Sequence, residues 1–231
     1  MMEVEEEVWP AETPAREELL AQLTELRASS PRMWKLEVAS SLVSDGGLGV
    51  HLRGACSAGT VLTLYPGVSF LTDDLPVMHQ LVLPGNTYVL ARRDGVLLDG
   101  RHYGQSRQIF ESALQRDRAQ LRVPPEQRAL SSEAALGQEH AVGNMVNHPP
   151  AGTSPNVSAA PLDLWEGESD GLATSELLAC VVPFRLPAPG GPAKQTVVLV
   201  ASRAMCDEEL LLDYKLRPQG PLEPWYAPVV K

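Results

Sequence analysis

Two segments of this chain contain side chains that can bind and orient a ligand, and they lie far apart in the sequence. The first is GNMVNHPPAGTSPNV, which contains Asn147-His148 and Asn156. The second is CDEELLLDY, an acidic run that ends in the aromatic Tyr214. Amide, imidazole, carboxylate and phenol groups provide the hydrogen-bond donors and acceptors that a binding site needs. Each segment alone is more typical of a solvated loop or turn, so a functional site requires a fold that brings the two together.

Length and composition indicate one domain with many turns rather than a helical bundle. The chain has 231 residues, which is enough to bury a sizeable core in one domain. Aromatic residues make up only 5% of it, so the core volume must come mainly from leucine, valine and alanine. The 20 prolines and 18 glycines imply short elements separated by turns.

The charge and the cysteines narrow the classes of function. A formal net charge of −10 argues against non-specific binding to nucleic acid, which depends on neutralising phosphates. The same charge could attract a basic peptide, although solubility is the simpler explanation. Cys56, Cys180 and Cys206 form no Cys-x-x-Cys pair, which argues against a disulfide framework and against a cysteine-rich zinc cluster.

The cellular location is indicated by the first residues and by the hydropathy pattern. The acidic start MMEVEEE is the opposite of a secretory or mitochondrial leader. No apolar run approaches the roughly 20 residues that a membrane span needs. We therefore expect an intracellular protein, in the nucleus or the cytosol, with no membrane partner and no direct nucleic-acid partner.

The N-terminal region, residues 1–33, is predicted to be an acidic end followed by one helix. Thr13 can cap this helix, Pro14 suits its first turn, and Ser30-Pro31 would end it. We expect its apolar stripe to pack on the helix's own domain, with binding to a partner protein as the alternative. The stripe consists of Leu19, Leu20, Leu23 and Leu26.

From Trp34 onward the pattern predicts short strands. Asp94-Gly95 is the strongest hairpin signal in the chain, because this dipeptide favours the tight turns that join two antiparallel strands. Apolar runs bounded by glycine and proline mark the other strands. The predicted strands are Val61–Tyr65, Thr87–Arg92, Val96–Asp99, Leu177–Leu186, Thr196–Ala201 and Leu210–Tyr214.

Helical insertions and loops separate these strands. Residues 106–121 have a mixed, charged helical character, and residues 122–140 are predicted to be loop with a short helix. The stretch from Pro149 to about Gly171 is rich in proline, glycine and serine, and we expect it to be loop. The predicted fold class is therefore mostly β with helical insertions (α+β).

The stretch GGLGV at residues 46–50 does not fit a dinucleotide-binding turn. That motif needs a third glycine where this chain has Leu52, and it opens a helix, whereas the following HLRGACSAGTVLTLYPG contains no helical run. A tight turn is the simpler interpretation of the glycines alone. However, GLGVHLRGACSAGTVLTLYPG resembles the opening of the SET domain of protein methyltransferases, where a Gly-x-Gly turn leads through one strand to a second that ends in Tyr-x-Gly.

Three further features resemble the same family, in the same order along the chain. Asn147-His148 matches its Asn-His pair, Pro155-Asn156 matches its Pro-Asn pair, and DEELLLDY resembles its Gly-Glu-Glu-Leu and Asp-Tyr block. The resemblance covers residues 46–216 as a SET domain and leaves 217–231 as a C-terminal tail. The chain departs from the family pattern where Pro149 replaces a serine, and where a longer linker to the Pro-Asn pair lacks the family's cysteine.

The resemblance implies a SET-domain fold of short β-sheets, in which the C-terminal segment threads beneath an earlier loop in a knot-like arrangement. That arrangement would bring Tyr214 beside Asn147-His148. The implied cofactor is S-adenosylmethionine, held by Leu48, Gly49, Asn147, His148 and Tyr214, with glycine used where a side chain would block the donor. Tyr214 and Tyr65 are the implied catalytic residues, Tyr65 as a wall of a lysine channel, and neither a metal nor a protein nucleophile is required.

The expected activity is methylation of a lysine in a protein or peptide substrate by a monomeric, S-adenosylmethionine-dependent enzyme. The alternative is a SET-fold module that has lost catalysis and binds a protein partner, which the departures around Pro149 favour. A further hypothesis concerns Pro224-Trp225-Tyr226, whose aromatic rings would fold back over the lysine channel. For Trp225, an ordinary surface anchor is the alternative.

Overall fold

The computed structural model describes residues 14–27, 33–120, 137–165, 179–215, 226 and 228–229. The helices within these residues are α1 (Arg16–Arg27), α2 (Leu75–Val77) and α3 (Gly104–Gln120), and further helical turns lie at Thr72–Asp74, Met78–Val82 and Gly143–Met145. The strands are β1 (Trp34–Ser40), β2 (Leu48–Cys56), β3 (Val61–Leu64), β4 (Gly67–Phe70), β5 (Val89–Ala91), β6 (Leu97–Asp99), β7 (Val157–Leu164), β8 (Val181–Pro183), β9 (Lys194–Ala201) and β10 (Met205–Cys206).

The strands are arranged in three small sheets. The first has the order β1-β2-β10, the second β3-β9-β7 and the third β5-β6-β4-β8. Strands β4 and β8 pair in parallel, and the other neighbouring pairs are antiparallel. The prediction of a mostly β fold with few helices is therefore confirmed, while the knot-like threading of the C-terminal segment stays a prediction.

The predicted hairpin around Asp94-Gly95 is present as β5 and β6, which pair antiparallel. Gly95 has a φ of 89°, a left-handed conformation that glycine adopts without steric conflict. The buried guanidinium of Arg92 pairs with Asp94 at 2.5 Å and with Asp163 of β7 at 2.7 Å. These ion pairs attach the hairpin of the third sheet to the edge of the second.

Helix α1 packs on the domain, as its apolar stripe predicted. Leu19, Leu23 and Leu26 are buried in a cluster that also contains Val61 of β3 and Leu162 of β7. The region N-terminal to the glycine turn thus contributes to the main core, and β1 pairs with β2 along its whole length. No helix in the described part of the chain is both long and apolar enough to cross a membrane.

The prediction of continuous loop from Pro149 to Gly171 is wrong for Val157–Leu164, which forms β7. This strand pairs with β9 residue by residue over its whole length. Its Pro161 lacks the N–H group that an interior strand would need, but β7 lies at the edge of its sheet, where that loss is tolerated. The composition of the segment is typical of a loop, but hydrogen bonding to the apolar strand β9 makes it a strand.

Two other predicted strands are shorter than expected. Leu177–Leu186 contains only β8, and its first two residues lie outside the described part. Leu210–Tyr214 is not a continuous strand, since Leu211 and Leu212 make only isolated bridges to other segments. The predicted helix at 106–121 is confirmed as α3. Thr13, Ser30-Pro31 and most of the predicted loop at 122–140 lie outside the described residues.

Candidate functional site

The C-terminal segment, defined here as residues 207–214, brings the two chemically interesting parts of the sequence together. The Leu210 amide donates to the Val50 carbonyl of β2 at 2.7 Å. On its other side the segment runs parallel to the backbone at Asn147-His148, called the Asn-His loop below. Leu211 forms an isolated β-bridge with Asn147, and the Leu212 amide donates to the Asn147 carbonyl at 2.9 Å. The glycine turn, the Asn-His pair and the acidic run therefore meet at one place.

The side-chain amide of Asn147 lies between the glycine turn and the C-terminal segment. Its Nδ2 donates to the Leu48 carbonyl at 2.9 Å and to Glu209 Oε1 at 3.3 Å. Both amide hydrogens are engaged by these two acceptors, which assigns the orientation of the group. Its Oδ1 takes no part in these two bonds.

Gly49 is required by close packing at this point. A Cβ atom added to it would lie 2.1 Å from Glu209 Oε1 and 3.2 Å from Asn147 Nδ2. The sequence predicted that glycine is needed here to let a ligand approach. That role stays a prediction, and the structure adds a second reason, because the space that a side chain would take is occupied by the carboxylate of Glu209.

Glu209 is a site residue that the sequence did not single out. Its side chain is buried, with 5% of its surface exposed. The Ser41 hydroxyl donates to Oε1 at 2.6 Å and the Leu42 amide donates to Oε2 at 2.7 Å. A glutamate in an acidic run is typical of a solvated face, and only its place in the Glu-Glu-Leu pattern could have indicated this burial.

His148 and Tyr214 lie side by side in the interior of the site. The Tyr214 backbone amide donates to His148 Nδ1 at 3.2 Å, and the two ring centroids are 5.4 Å apart. The ring of Tyr226, from the C-terminal tail, lies 4.4 Å from the imidazole at an angle of 31°. With 5% of its surface exposed, His148 is thus enclosed between two aromatic side chains.

Both candidate catalytic tyrosines are held as neutral phenols. Tyr214 donates its hydroxyl to the Val146 carbonyl at 2.8 Å, and burial raises the pKa of Tyr214 to about 12. Tyr65 donates to the Tyr88 carbonyl at 2.7 Å, and burial raises the pKa of Tyr65 well above its ordinary value, with the Tyr214 phenol nearby adding to the effect. At neutral pH both groups therefore keep their protons, and they can orient a ligand through hydrogen bonds.

Asn156 binds the C-terminal segment through side-chain hydrogen bonds. Only 1% of its surface is exposed. Its Nδ2 donates to the Glu209 carbonyl at 2.7 Å and to Glu208 Oε2 at 3.1 Å, and its Oδ1 accepts from the Leu211 amide at 2.7 Å. All its polar atoms are engaged within the protein, so Asn156 supports the site rather than facing a ligand.

Comparison with known proteins supports one family. Two curated proteins named SET domain-containing protein 9, from Homo sapiens and Pongo abelii, are each 31% identical to this chain over 112 residues, or 48% of it. The matches cover 36% and 39% of the two relatives, so the chain corresponds to less than half of their length. A scan against family models finds no match. The two relatives support assignment to the SET-domain family, in agreement with the sequence motifs.

Proposed function

We propose that this SET-domain chain is an S-adenosylmethionine-dependent methyltransferase that modifies a lysine side chain of a protein or peptide. The observation that carries the proposal is the meeting of Leu48, Asn147 and Tyr214 at one place, although they come from three distant parts of the sequence. The names of the two relatives support the family, and the chemistry of the site supports the activity.

The residues at the site fit a cationic methyl donor. S-adenosylmethionine, when bound, supplies a methyl group activated by a positively charged sulfonium. Asn147 commits its Nδ2 to two protein acceptors, and Leu48 at the end of the glycine turn is 52% exposed, so this part of the turn is accessible to a ligand. We assign donor binding to Leu48, Gly49, Asn147, His148 and Tyr214, with the nearby carbonyl oxygens and aromatic rings suiting a positive charge.

The tyrosines suit the acceptor side of the reaction. A free lysine has a pKa near 10.4, so its amine must lose a proton before it can act as a nucleophile. Surroundings as buried as those of Tyr65 and Tyr214 disfavour an ammonium ion and lower that pKa. We propose that the two neutral phenols hold the amine in position, and that alignment is the main contribution of the protein to the rate.

The C-terminal tail is proposed to cover the site. Tyr226 is buried, with 8% of its surface exposed, and it stacks on His148. Pro224 and Trp225, the other members of the predicted lid, lie outside the described residues. Deletion of residues 218–231 should abolish turnover while the protein remains folded. Unchanged turnover would show that the tail is not a lid.

The deciding experiment is calorimetric titration of S-adenosylmethionine into the intact protein and its variants. We expect micromolar binding that Asn147→Ala abolishes and Tyr214→Phe retains. Glu37→Gln is the matched control, because Glu37 pairs with Arg53 on the exposed face of the hairpin formed by β1 and β2. The absence of binding to the intact protein would overturn the proposal.

Transfer of labelled methyl groups to lysine-containing peptides then tests catalysis itself. The intact protein should label a lysine, and Tyr214→Phe should reduce the rate while donor affinity is maintained. Donor binding without transfer to any peptide would favour the alternative of a catalytically inactive module that binds a protein partner.

A further inference from the structure

The buried carboxylate of Glu209 connects segments that the proposed function places around the donor. We propose that Glu209 is a positioning residue for the donor site and that it acts through the side chain of Asn147. The inference rests on the proposed function for its biological meaning. Its structural content, that Glu209 fixes the orientation of one amide, can be tested without a ligand.

Glu209 accepts hydrogen bonds from two other parts of the chain. Ser41 Oγ at 2.6 Å and the Leu42 amide at 2.7 Å come from the loop after β1, which precedes Glu209 by 168 and 167 residues. Asn147 Nδ2, at 3.3 Å, comes from the Asn-His loop. An ionised carboxylate can accept all three of these bonds, because its two oxygens offer about four lone-pair positions. Glu209 therefore links the loop after β1 to the Asn-His loop through one side chain.

The carboxylate selects one of the two orientations of the Asn147 amide. Nδ2 lies between two acceptors, the Leu48 carbonyl and Glu209 Oε1, and donates to both. Rotating the amide by 180° would place Oδ1 against these same acceptors and would break both bonds. Glu209 and the Leu48 carbonyl thereby favour the same orientation, and Glu209 adds to its stability the only contact made by a side chain in this pair of acceptors.

Gly49 completes the arrangement. Its missing side chain leaves the space that Glu209 Oε1 occupies, 2.1 Å from the position of a Cβ atom. The glycine of the turn and the glutamate of the acidic run are therefore complementary, although the two residues are distant in the sequence. Any side chain at position 49 would displace the Glu209 carboxylate from its present place.

Glu209→Gln tests the proposal because it keeps the volume and replaces one acceptor oxygen with an NH₂ group. Titration with S-adenosylmethionine should show about tenfold weaker binding, the effect expected from loss of one charge-assisted hydrogen bond. Because Asn147→Ala is expected to abolish donor binding, the coupling is measured by urea unfolding. Glu209→Gln should lower the free energy of unfolding less in an Asn147→Ala background than in the intact protein, since the hydrogen bond between the two side chains is already lost there. An equal loss in both backgrounds would show that Glu209 does not act through Asn147. Glu37→Gln, on the exposed face of β1, should leave affinity unchanged.

The side-chain amide resonances of Asn147 give a second readout that needs no donor. They are assigned from the pair of signals that disappears in Asn147→Ala. Glu209→Gln should shift this pair and accelerate its exchange with solvent, whereas Glu37→Gln should leave both unchanged. If Glu209→Gln does not fold, Ser41→Ala provides the test, because losing the 2.6 Å bond frees the carboxylate to move. Unaltered Asn147 signals would overturn the positioning role, while failure of the intact protein to bind the donor would overturn only the proposed function.

Discussion

Replacing the buried Asn156 by alanine should lower the free energy of unfolding by about 3 kcal/mol. Three side-chain hydrogen bonds are lost, to the Glu209 carbonyl, to Glu208 Oε2 and from the Leu211 amide. Each contributes about 1 kcal/mol, and the partners that remain buried without a bond add to the effect. For a chain of this size the change corresponds to a drop in melting temperature of roughly 6–12 °C.

Urea unfolding followed by circular dichroism measures this change directly. The matched variant Asn156→Asp keeps the acceptor for the Leu211 amide but places a carboxylate oxygen against the Glu209 carbonyl and the Glu208 carboxylate. We expect it to destabilise the protein at pH 7 at least as much as alanine does, because like charges replace a hydrogen bond. A loss below about 1 kcal/mol for Asn156→Ala would refute the reasoning that Asn156 supports the C-terminal segment.

Three further predictions concern the packing of Gly49, the ionisation of Tyr214 and the reactivity of Cys180. Gly49→Ala should destabilise the protein by about 1–3 kcal/mol in urea unfolding, because the new methyl group overlaps Glu209 Oε1. Burial raises the pKa of Tyr214 to about 12, so the folded protein keeps the phenol proton at a pH where the unfolded chain loses it. The free energy of unfolding should therefore fall as the pH rises from about 10 to 12. Unfolding curves measured at pH 9 and pH 11 should show a smaller fall in Tyr214→Phe than in the intact protein. The Cys180 thiol is buried and its pKa is raised to about 12, so it should resist iodoacetamide at pH 8 until the protein is unfolded. The exposed Cys206 should be alkylated in the folded protein. Mass spectrometry of the labelled peptides distinguishes the two.

Elements whose signals lie within a short stretch of sequence were the predictable part of the fold. The hairpin at Asp94-Gly95 and the helix now seen as α3 depend on residues close in sequence, and both were predicted correctly. β7 was missed because Pro161 and its small neighbours suggest a loop, and its pairing with β9 is decided by residues 30 or more positions away. Predictions from single segments fail where a distant strand supplies the hydrogen bonds.

The sequence motifs identified individual residues of the candidate site, but they did not predict the contacts between the motifs. The motifs indicated that Asn147 and Tyr214 belong together, and the structure places them on neighbouring segments. Nothing local indicated that Glu209 is buried or that Gly49 makes room for it, because those facts arise from contacts between motifs. The strand expected at Leu210–Tyr214 failed for the same reason, since side chains such as Asn156 hold this segment in place of a regular ladder.

The late position of Glu209 in the chain has a consequence for biosynthesis. Its partner Leu42 leaves the ribosome 167 residues earlier, so most of the domain is synthesised before this contact can form. Closing such a long loop is entropically unfavourable, and contacts between residues so distant in sequence slow folding. A chain that stops upstream of the C-terminal segment lacks Glu209 and Tyr214, so it cannot form their contacts with Asn147 and His148.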